Sequence, residues 1–184
     1  YCRSQQMHCV LTTDQCLTGT DRVAEAAELL DSDVCINVQG DEPLFNPEDI
    51  RLLVNRVQEQ PQRIYAGYCE IESEEMYRSL SVPKMVMDTD ERLLYTSRHP
   101  IPGNKTGGFR MAWRQVCAYA FHREALRMYR GCARKTPLEQ EEDLELLRFI
   151  EKGYPVQLVK MSRESIAVDH PEDVEKVIER LKYA

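Results

Sequence analysis

The sequence predicts an α/β protein built on a Rossmann-like, mostly parallel sheet flanked by helices. Over the first 80 residues, segments with strand character alternate with segments whose apolar residues recur at helical spacing, an order that produces a parallel sheet. Residues 34–38 form an apolar, partly β-branched run, which is typical of a strand buried on both faces of such a sheet. That run ends in Q-G-D-E-P at 39–43, where glycine permits a turn and proline stops the strand.

The acidic residues after this strand are candidate metal ligands. Open α/β sheets bind ligands outside the carboxyl ends of their strands, and hard divalent cations take oxygen ligands. Asp41 lies at such an end, and Asp169 has a similar setting, because it follows the apolar run 166–168 and precedes a helix. The two carboxylates could share one cation, whereas an ordinary polar turn at Asp41 and a helix cap at Asp169 are the structural alternatives.

The other elements follow in order along the chain. Further strands are predicted at residues 7–11, 64–71, 82–87, 93–97, 114–121 and 156–159, with another possible at 165–168. Helices are predicted from Thr20 as a cap, from Asn46 as a cap, at 73–80, from the capping box at 136–139 to a stop at Gly153, and from Pro171. The stripe expected to be buried on the last helix is Val174, Val177, Ile178 and Leu181. Residues 82–113 interrupt the alternation as a small antiparallel excursion around a turn at 88–91.

Composition excludes several classes of function. The net charge of −7 argues against general binding to nucleic acids or anionic membranes, both of which require a basic surface. No apolar run approaches the length of a membrane span and no signal peptide is visible, so a cytoplasmic protein is expected. The seven cysteines include no C-x-x-C pair and the four histidines do not cluster, so neither a disulfide framework nor a zinc site is predicted. Residues 1–184 are expected to form a single domain.

The start of the first helix is a candidate site for an anion. The sequence G-T-D-R at 19–22 opens this helix, where free N–H groups and the helix dipole favour negative charge. Arg22 lies in the first turn and could bind a phosphate or a carboxylate. A surface ion pair of Arg22 with Glu25 or Glu28 is the alternative, and spacing does not decide between the two.

Two further groups of charged residues have both a functional and a structural interpretation. Glu139, Glu142 and Glu145 stand three residues apart, which predicts one shared helix face that either lines a pocket or is simply solvated. Arg98 and Arg114 flank the irregular loop, so each is a candidate for binding an acidic substrate and equally a candidate surface charge.

Five motifs together resemble the sugar-acid cytidylyltransferases. They are G-T-D-R at 19–22, V-Q-G-D-E-P at 38–43, Y-x-S-R-x-x-I-P at 95–102, P-L-E-x-x-E-x-L-E at 137–145 and V-D-x-P-E-D-V at 168–174. They occur in the family's order and span nearly the whole chain, and they are most similar to the members that act on 3-deoxy-manno-octulosonate (KDO). The resemblance implies a nucleotide-diphospho-sugar transferase-like fold and a homodimer. It also implies transfer of CMP from CTP to a sugar acid, with release of pyrophosphate, for cell-surface polysaccharide synthesis.

The resemblance implies roles for individual residues as well. Asp41 and Asp169 match the family's ligands for Mg²⁺, which is the one cofactor implied. Asp41, Arg22 and Gln39 are the implied catalytic residues. The implied nucleotide-binding residues are Gly19, Thr20, Arg22 and Gln39, and the implied sugar-binding residues are Arg98, Gln115, Tyr119, Glu142 and Glu145.

The chain departs from the family's pattern in two places. Gln115 and Leu146 stand where the KDO enzymes usually carry histidine and glutamine, and both positions are expected to face the sugar. KDO, an amino-KDO and a nonulosonate therefore all remain candidate substrates. The family's opening strand and its loop rich in arginine, serine and lysine are absent from this sequence, so weak binding of CTP is expected.

Two other functions remain open from the sequence. A metal-dependent glycosyltransferase of similar topology would need a D-x-D motif at the end of a buried strand, but the D-x-D sequences at 31–33 and 88–90 both fall in predicted turns. A truncated, non-catalytic partner that only dimerises or binds sugar is favoured by the missing loop and disfavoured by the presence of Asp41 and Asp169.

Overall fold

The computed structural model describes residues 1–164, 166–168 and 170–182, and within them the chain forms one mixed sheet flanked by helices. The strands are β1 (Val34–Val38), β2 (Ile64–Glu70), β3 (Lys84–Met87), β4 (Leu93–Ser97), β5 (Trp113–His122) and β6 (Val156–Lys160). The helices are α1 (Gly19–Leu29), α2 (Pro47–Glu59), α3 (Glu74–Arg78), α4 (Arg123–Arg130), α5 (Pro137–Glu142), α6 (Leu146–Glu151) and α7 (Pro171–Leu181). The predicted α/β class is thereby confirmed.

The long strand β5 organises the sheet. The strand order is β4-β3-β5-β2-β6, and β1 also pairs with β5. β5 is antiparallel to β1, β2 and β3, β4 is antiparallel to β3, and β6 is parallel to β2. These pairings make β1, β2, β3 and β6 point the same way, as the alternation of strands and helices predicts, while β5 runs in the opposite direction between them. The carboxyl end of β1 therefore lies beside the middle of β5, where Val38 is opposite Ala118.

β1 is an edge strand that is covered on both faces, as expected, but only partly: Cys35 packs against the core on one face, and Ile36 and Val38 pack against the core on the other. All five of its residues are only half-buried, and β5 is its one strand partner among the described residues. An apolar, β-branched composition reports strand propensity, but it does not report how many neighbours a strand has.

Residues 7–11 do not form the predicted strand. Met7 and Leu11 are 57% and 81% exposed, and no described strand pairs with this segment. A short apolar run has no strand structure of its own, because its backbone groups need a partner strand to complete the hydrogen bonds. Its apolar character alone therefore misled the prediction.

The predicted helix from residue 136 to 153 is interrupted. The capping box forms as predicted, with Thr136 and Glu139 side chains each bound to the other's backbone N–H. However, Asp143 adopts the left-handed conformation, with φ of +52°, and ends α5, so that α6 restarts at Leu146. Aspartate tolerates this conformation better than most residues do. Because of this break, the side chains of α6 do not continue the faces of α5.

Three other helices depart from the prediction. Thr18, not Thr20, caps α1 by accepting a hydrogen bond from the backbone N–H of Asp21. α4 was not predicted, although His122 caps it through Nδ1 and its residues Ala125, Leu126 and Tyr129 are buried. Of the stripe predicted on α7, only Val177 is buried.

Apolar side chains cover both faces of the sheet. On one face, α1, α4 and α6 pack around a core that includes Tyr119, Phe121 and Phe149. On the other face, α2 contributes Leu53 to a core with Tyr65 and Val116. No helix in the described ranges is long and apolar enough to cross a membrane.

Candidate active site

The turn after β1 is anchored to β5 by its backbone and by Glu42. The backbone N–H of Gln39 donates to the Cys117 carbonyl at 3.2 Å, and the N–H of Glu42 donates to the Gln39 carbonyl at 3.3 Å, which closes the turn. The buried Glu42 carboxylate accepts a hydrogen bond from the Cys117 N–H at 2.8 Å. Glu42 therefore holds the turn in place, and Asp41 is the carboxylate that the turn presents.

Asp41 carries a buried carboxylate oxygen with no hydrogen-bond partner. Among the described residues, only Asp41 Oδ1 and Gln115 Oε1 are buried side-chain polar atoms left without a partner. Burying such an oxygen unpaired costs about 1–3 kcal/mol, so an orphan acceptor at a strand end indicates a missing cation or donor. Both orphan atoms belong to residues that the sequence assigns to the site.

The backbone next to Asp169 lies against Asp41. The N–H of Val168 donates to the Asp41 carbonyl at 2.9 Å, so the segment leading to residue 169 reaches the turn after β1. Asp169 itself lies outside the described residues, and the expected approach of its carboxylate to that of Asp41 stays a prediction. Within the described ranges, no three side chains of histidine, cysteine, aspartate or glutamate form a metal-binding group.

The first turn of α1 is bound to Glu145. The N–H groups of Gly19 and Thr20 donate to the two oxygens of the Glu145 carboxylate at 2.9 and 3.0 Å, and the Thr20 hydroxyl donates to the same carboxylate. A Cβ atom on Gly19 would lie 3.3 Å from Glu145 Oε1 and 4.0 Å from Gln39 Nε2. Residues predicted to bind nucleotide and sugar therefore meet at one point, and a carboxylate of the protein already occupies the anion site at this helix start.

Arg22 lies at the edge of this point. Its Nη1 donates to the Thr12 hydroxyl at 2.8 Å and to the Thr13 carbonyl at 2.9 Å, and no other hydrogen bond of its side chain is formed within the described ranges. The alternative ion pairs with Glu25 and Glu28 do not form, because both glutamates face Arg130 instead. The guanidinium group is exposed and keeps donors available for a ligand.

A buried ionic network beneath α1 was not predicted. Arg148 is fully buried and binds Glu139 through two hydrogen bonds of 2.6 Å, and it donates to Asp21 Oδ1 at 3.0 Å. Its guanidinium carbon lies 3.7 Å from the centre of the Tyr129 ring. The network joins α1, α4, α5 and α6 directly below Gly19 and Thr20. The sequence did contain a sign of this network, because Arg148 lies inside the apolar run L-L-R-F-I at 146–150. An arginine that is buried with such a run needs a partner of opposite charge.

Gln115, Cys117 and Tyr119 alternate along one face of β5 next to Gln39. Gln115 Nε2 donates to the Tyr119 hydroxyl at 2.7 Å, while Gln115 Oε1 is the second orphan acceptor. Burial, together with the nearby Cys117 and Glu145, raises the pKa of Tyr119 well above its ordinary value, so the phenol stays protonated. Burial likewise raises the pKa of Cys117, which keeps its thiol neutral. This face offers uncharged hydrogen-bonding groups to a ligand.

Arg98 and Glu142 bind each other rather than projecting into an open pocket. The Glu142 carboxylate accepts from the Ser97 hydroxyl at 2.6 Å and from the Arg98 N–H at 2.9 Å, and the Arg98 Nε donates to the Glu142 carbonyl at 2.7 Å. Burial alone would raise the pKa of Glu142, but the hydrogen bonds from Ser97 and Arg98 outweigh it and lower that pKa. The other Arg98 donors bind the carbonyls of Leu80 and Asp143, both at 3.2 Å.

The three glutamates of the 137–145 motif do not share a helix face, and that prediction is wrong. Glu139 binds Arg148, Glu142 binds Ser97 and Arg98, and Glu145 binds the start of α1. The left-handed bend at Asp143 separates Glu145 from the two glutamates of α5, because it interrupts the helical spacing on which the prediction depended.

Leu146 lies in the apolar core. Its side chain is 2% exposed and packs with Phe121 and Phe149. α6 begins at Leu146, and contact of this position with the sugar stays a prediction. The D-x-D sequences are structural, as expected: Asp31 and Asp33 pair with Arg123, and Asp88 pairs with Arg92.

Two surface cavities of about 220 and 340 Å³ lie away from this site. Both are lined by Arg63, Arg92 and Gln157, where β2 and β6 begin. The candidate site is at the opposite edge, where β1 ends. We assign the site from the convergence of side chains and orphan acceptors, since these groups carry the chemistry.

The sheet with its acidic turn at a strand end, beside a helix start, has a nucleotidyltransferase fold, as a structural match shows. The structure superposes on a CMP:2-keto-3-deoxy-manno-octonic acid synthetase complexed with CTP, with a TM-score of 0.88 and 28% identity over 98% of this chain and 75% of that one. Residues 1–166 match the family model of the cytidylyltransferases. The chain belongs to the cytidylyltransferase family.

Curated relatives cover most of the chain. A 3-deoxy-manno-octulosonate cytidylyltransferase of Protochlamydia amoebophila is 37% identical over 94% of this chain and 69% of its own length. One of Acaryochloris marina is 39% identical over 91% of this chain and 69% of its own length.

Proposed function

We propose that this protein transfers CMP from CTP to KDO, or to a closely related sugar acid, and releases pyrophosphate. The observation that carries the proposal is the pair of orphan acceptors, Asp41 Oδ1 and Gln115 Oε1, at positions that the family assigns to metal and sugar. Family membership supplies the class of reaction, and the orphan atoms indicate where its ligands bind. The relatives are named for KDO, which supports that sugar.

The residues present fit a magnesium ion. Asp41 would hold it through the carboxylate that bears the orphan oxygen, together with Asp169, whose neighbour Val168 binds the Asp41 carbonyl. When bound, the ion would neutralise charge on the phosphates of CTP. Hard cations of this kind take carboxylate oxygens, which Asp41 and Asp169 would supply.

The chain's own residues would orient the two substrates. The anomeric hydroxyl of the sugar acid attacks the α-phosphorus of CTP, the new bond joins that oxygen to phosphorus, and the bond to the bridging oxygen of pyrophosphate breaks. The hydroxyl proton leaves to solvent. Alignment and charge stabilisation dominate such transfers, and the available groups suit both needs. The Arg22 guanidinium faces the phosphates, whereas Gln39, Gln115 and Tyr119 give neutral hydrogen bonds to the sugar.

Arg98 and Glu145 have a more indirect part in this proposal. Both make several hydrogen bonds to the protein, so they shape the pocket as well as contacting the sugar. We further propose a homodimer formed through residues 82–113 and a cytoplasmic location, as the family pattern implies.

Pyrophosphate release tests the proposal. With CTP, Mg²⁺ and KDO, the protein should release pyrophosphate, whereas UTP in place of CTP or omission of the sugar should abolish release. Asp41→Asn should lower kcat/KM by about a hundredfold or more, because it removes the charge that binds the cation. The matched control, Asp14→Asn, changes an exposed aspartate outside the site and should leave the rate unchanged. Equal rates for Asp41→Asn and Asp14→Asn, or release without a sugar acid, would refute the assignment.

A further inference from the structure

Lys84 is a buried lysine that none of the roles above uses. Its side chain is 0% exposed, and it lies on β3 between β4 and β5, opposite Ser97 and Arg114. The Thr96 hydroxyl donates to the Lys84 carbonyl at 2.9 Å, which fixes the backbone at this point. A buried ammonium group is costly unless it is hydrogen-bonded, so its partners indicate why it is there.

The ammonium group of Lys84 joins two segments through their backbone. It donates to the Ser79 carbonyl, just after α3, at 2.7 Å, and to the carbonyl of Arg98, just after β4. No carboxylate in the described ranges forms an ion pair with it, and the acidic group that acts on it electrostatically is Glu142. Lys84 therefore holds the backbone of Arg98.

Arg98 passes this restraint to the turn before α6. Its guanidinium group donates to the carbonyls of Glu142 and Asp143, the last residues before the chain bends. Two residues later, Glu145 holds the N–H groups of Gly19 and Thr20. A continuous set of hydrogen bonds thus leads from Lys84 to the centre of the candidate site, although Lys84 contacts no part of that centre.

We propose that Lys84 is a positioning residue, which acts through the Arg98 backbone and the 142–143 turn to place Glu145 against the start of α1. This inference rests on the proposed function for its catalytic readout, but its structural readout is independent of catalysis. The left-handed bend at Asp143 separates Glu145 from α5, so that helix does not fix the position of Glu145 relative to α1. The hydrogen bonds from Lys84 to the Arg98 carbonyl, and from Arg98 to the carbonyls of Glu142 and Asp143, supply this restraint and are called the Lys84 clamp.

Protonation of Lys84 should control the clamp. Burial lowers the pKa of Lys84 to about 8, against a raising effect of Glu142 and a further lowering by Arg98. The groups that face it are Ser79 after α3, Arg98 after β4, Arg114 on β5 and Glu142 on α5. As pH rises through about 8, the ammonium group loses its charge and its hydrogen bonds to the carbonyls weaken. The positioning of Glu145 should therefore weaken above that pH.

Lys84→Met tests the positioning role by hydrogen exchange and by kinetics. The amides of Gly19, Thr20 and Arg98, which donate to Glu145 and Glu142, should exchange at least about tenfold faster in the variant, while amides of β2 and β5 keep their protection. kcat/KM for the sugar acid should fall about ten- to a hundredfold, since small misplacements in a site have effects of this size. Lys152→Met, which changes an exposed lysine, is the matched control and should alter neither quantity.

Two further measurements keep the proposal testable if Lys84→Met does not fold. Lys84→Arg, which keeps the charge and the donors, should recover at least part of the lost amide protection. In the unmodified protein, KM for the sugar acid should rise between pH 7 and 9 while core protection is unchanged. Unaltered exchange at Gly19, Thr20 and Arg98 in a folded Lys84→Met variant would overturn the proposal, and so would a KM independent of pH together with no recovery in Lys84→Arg. A different result would separate the two proposals. If the unmodified protein shows no transferase activity but Lys84→Met shows the predicted faster exchange, the proposed function is contradicted and the positioning role is supported.

Discussion

At the scale of single residues, the site is defined by polar groups that lack partners. Gln115 and Asp41 each leave one buried oxygen unbound, although the hydrogen bonds around them are well formed. A folded protein retains buried acceptors without a partner mainly at functional sites, where a ligand or cation supplies the missing interaction. These two residues are therefore better evidence for the site than Arg98 or Glu142, whose side chains are already bound.

Gly40 offers a prediction at the same scale. A Cβ atom added there would meet nothing within 4 Å, and its φ is not in the left-handed range, so neither packing nor backbone conformation requires glycine. The remaining reason for glycine beside Asp41 is close approach of the backbone to a ligand. Gly40→Ala should leave the melting temperature unchanged and raise KM for CTP about three- to tenfold. Gly108→Ala, where a Cβ would also be unobstructed, is the control, and an equal effect on KM in both variants would contradict the role of Gly40.

At the scale of secondary-structure elements, α1, α5 and α6 depend on one buried cation. Arg148 pairs with Asp21 and Glu139, and all three side chains are buried. Removing one partner of a buried ion pair is strongly destabilising, because it leaves an uncompensated charge in the interior. The stability of these helices and the geometry of the α1 start are consequently linked.

Arg148→Met tests that link. The variant keeps an unbranched apolar stem but removes the guanidinium group and leaves the Asp21 and Glu139 carboxylates without their cation, so the free energy of unfolding should fall by about 3–5 kcal/mol. Denaturant unfolding measures this value. Arg127→Met, on the exposed side of α4, should change stability by less than about 0.5 kcal/mol. A loss of under about 1 kcal/mol for Arg148→Met would show that the network does not stabilise the fold.

The sequence predicted those elements whose signals are local. The helix start at Pro47, the capping box of Thr136 and Glu139, and the turn at 88–91 all form, because each depends on a few adjacent residues. The strand at 7–11 and the unbroken helix to Gly153 were wrong for the opposite reason. The first needs a partner strand, and the second ignores a left-handed Asp143 that tertiary hydrogen bonds hold in place.

The candidate site follows the same division. Asp41 and Gln39 could be placed at a strand end from the sequence, since a local apolar run and a Q-G-D-E-P turn identify that position. The separate partners of Glu139, Glu142 and Glu145 could not be predicted, because they depend on tertiary contacts and, for Glu145, on the left-handed conformation of Asp143. Lys84 and Arg148 were missed because a buried charge has no periodic signature and is recognised only by its partners.

At the scale of the whole molecule, β5 is the centre of the fold. It hydrogen-bonds to β2 on one side and to β1 and β3 on the other, and its residues Val116, Ala118 and Ala120 are completely buried. The turn that presents Asp41 is bonded to this strand at Cys117. The site is therefore attached to the strand with the most neighbours in the sheet. Such an attachment suits a reaction that depends on precise alignment of two substrates.

Stability should accordingly decline from β5 towards the carboxyl-terminal helix. On α7, Val174, Ile178 and Leu181 are 44%, 50% and 58% exposed, and only Val177 is buried, so little apolar contact resists local opening. Native-state hydrogen exchange should therefore show amides of β5 and β2 exchanging at least about a hundredfold more slowly than those of α7, because β5 opens only with global unfolding. Hydrogen exchange should be measured at low protein concentration and then repeated at a higher one. If α7 exchanges as slowly as β5 at both concentrations, its apolar face is covered within a single chain and the gradient is wrong. If its protection appears only at the higher concentration, association of chains covers that face, and the gradient within one chain stands.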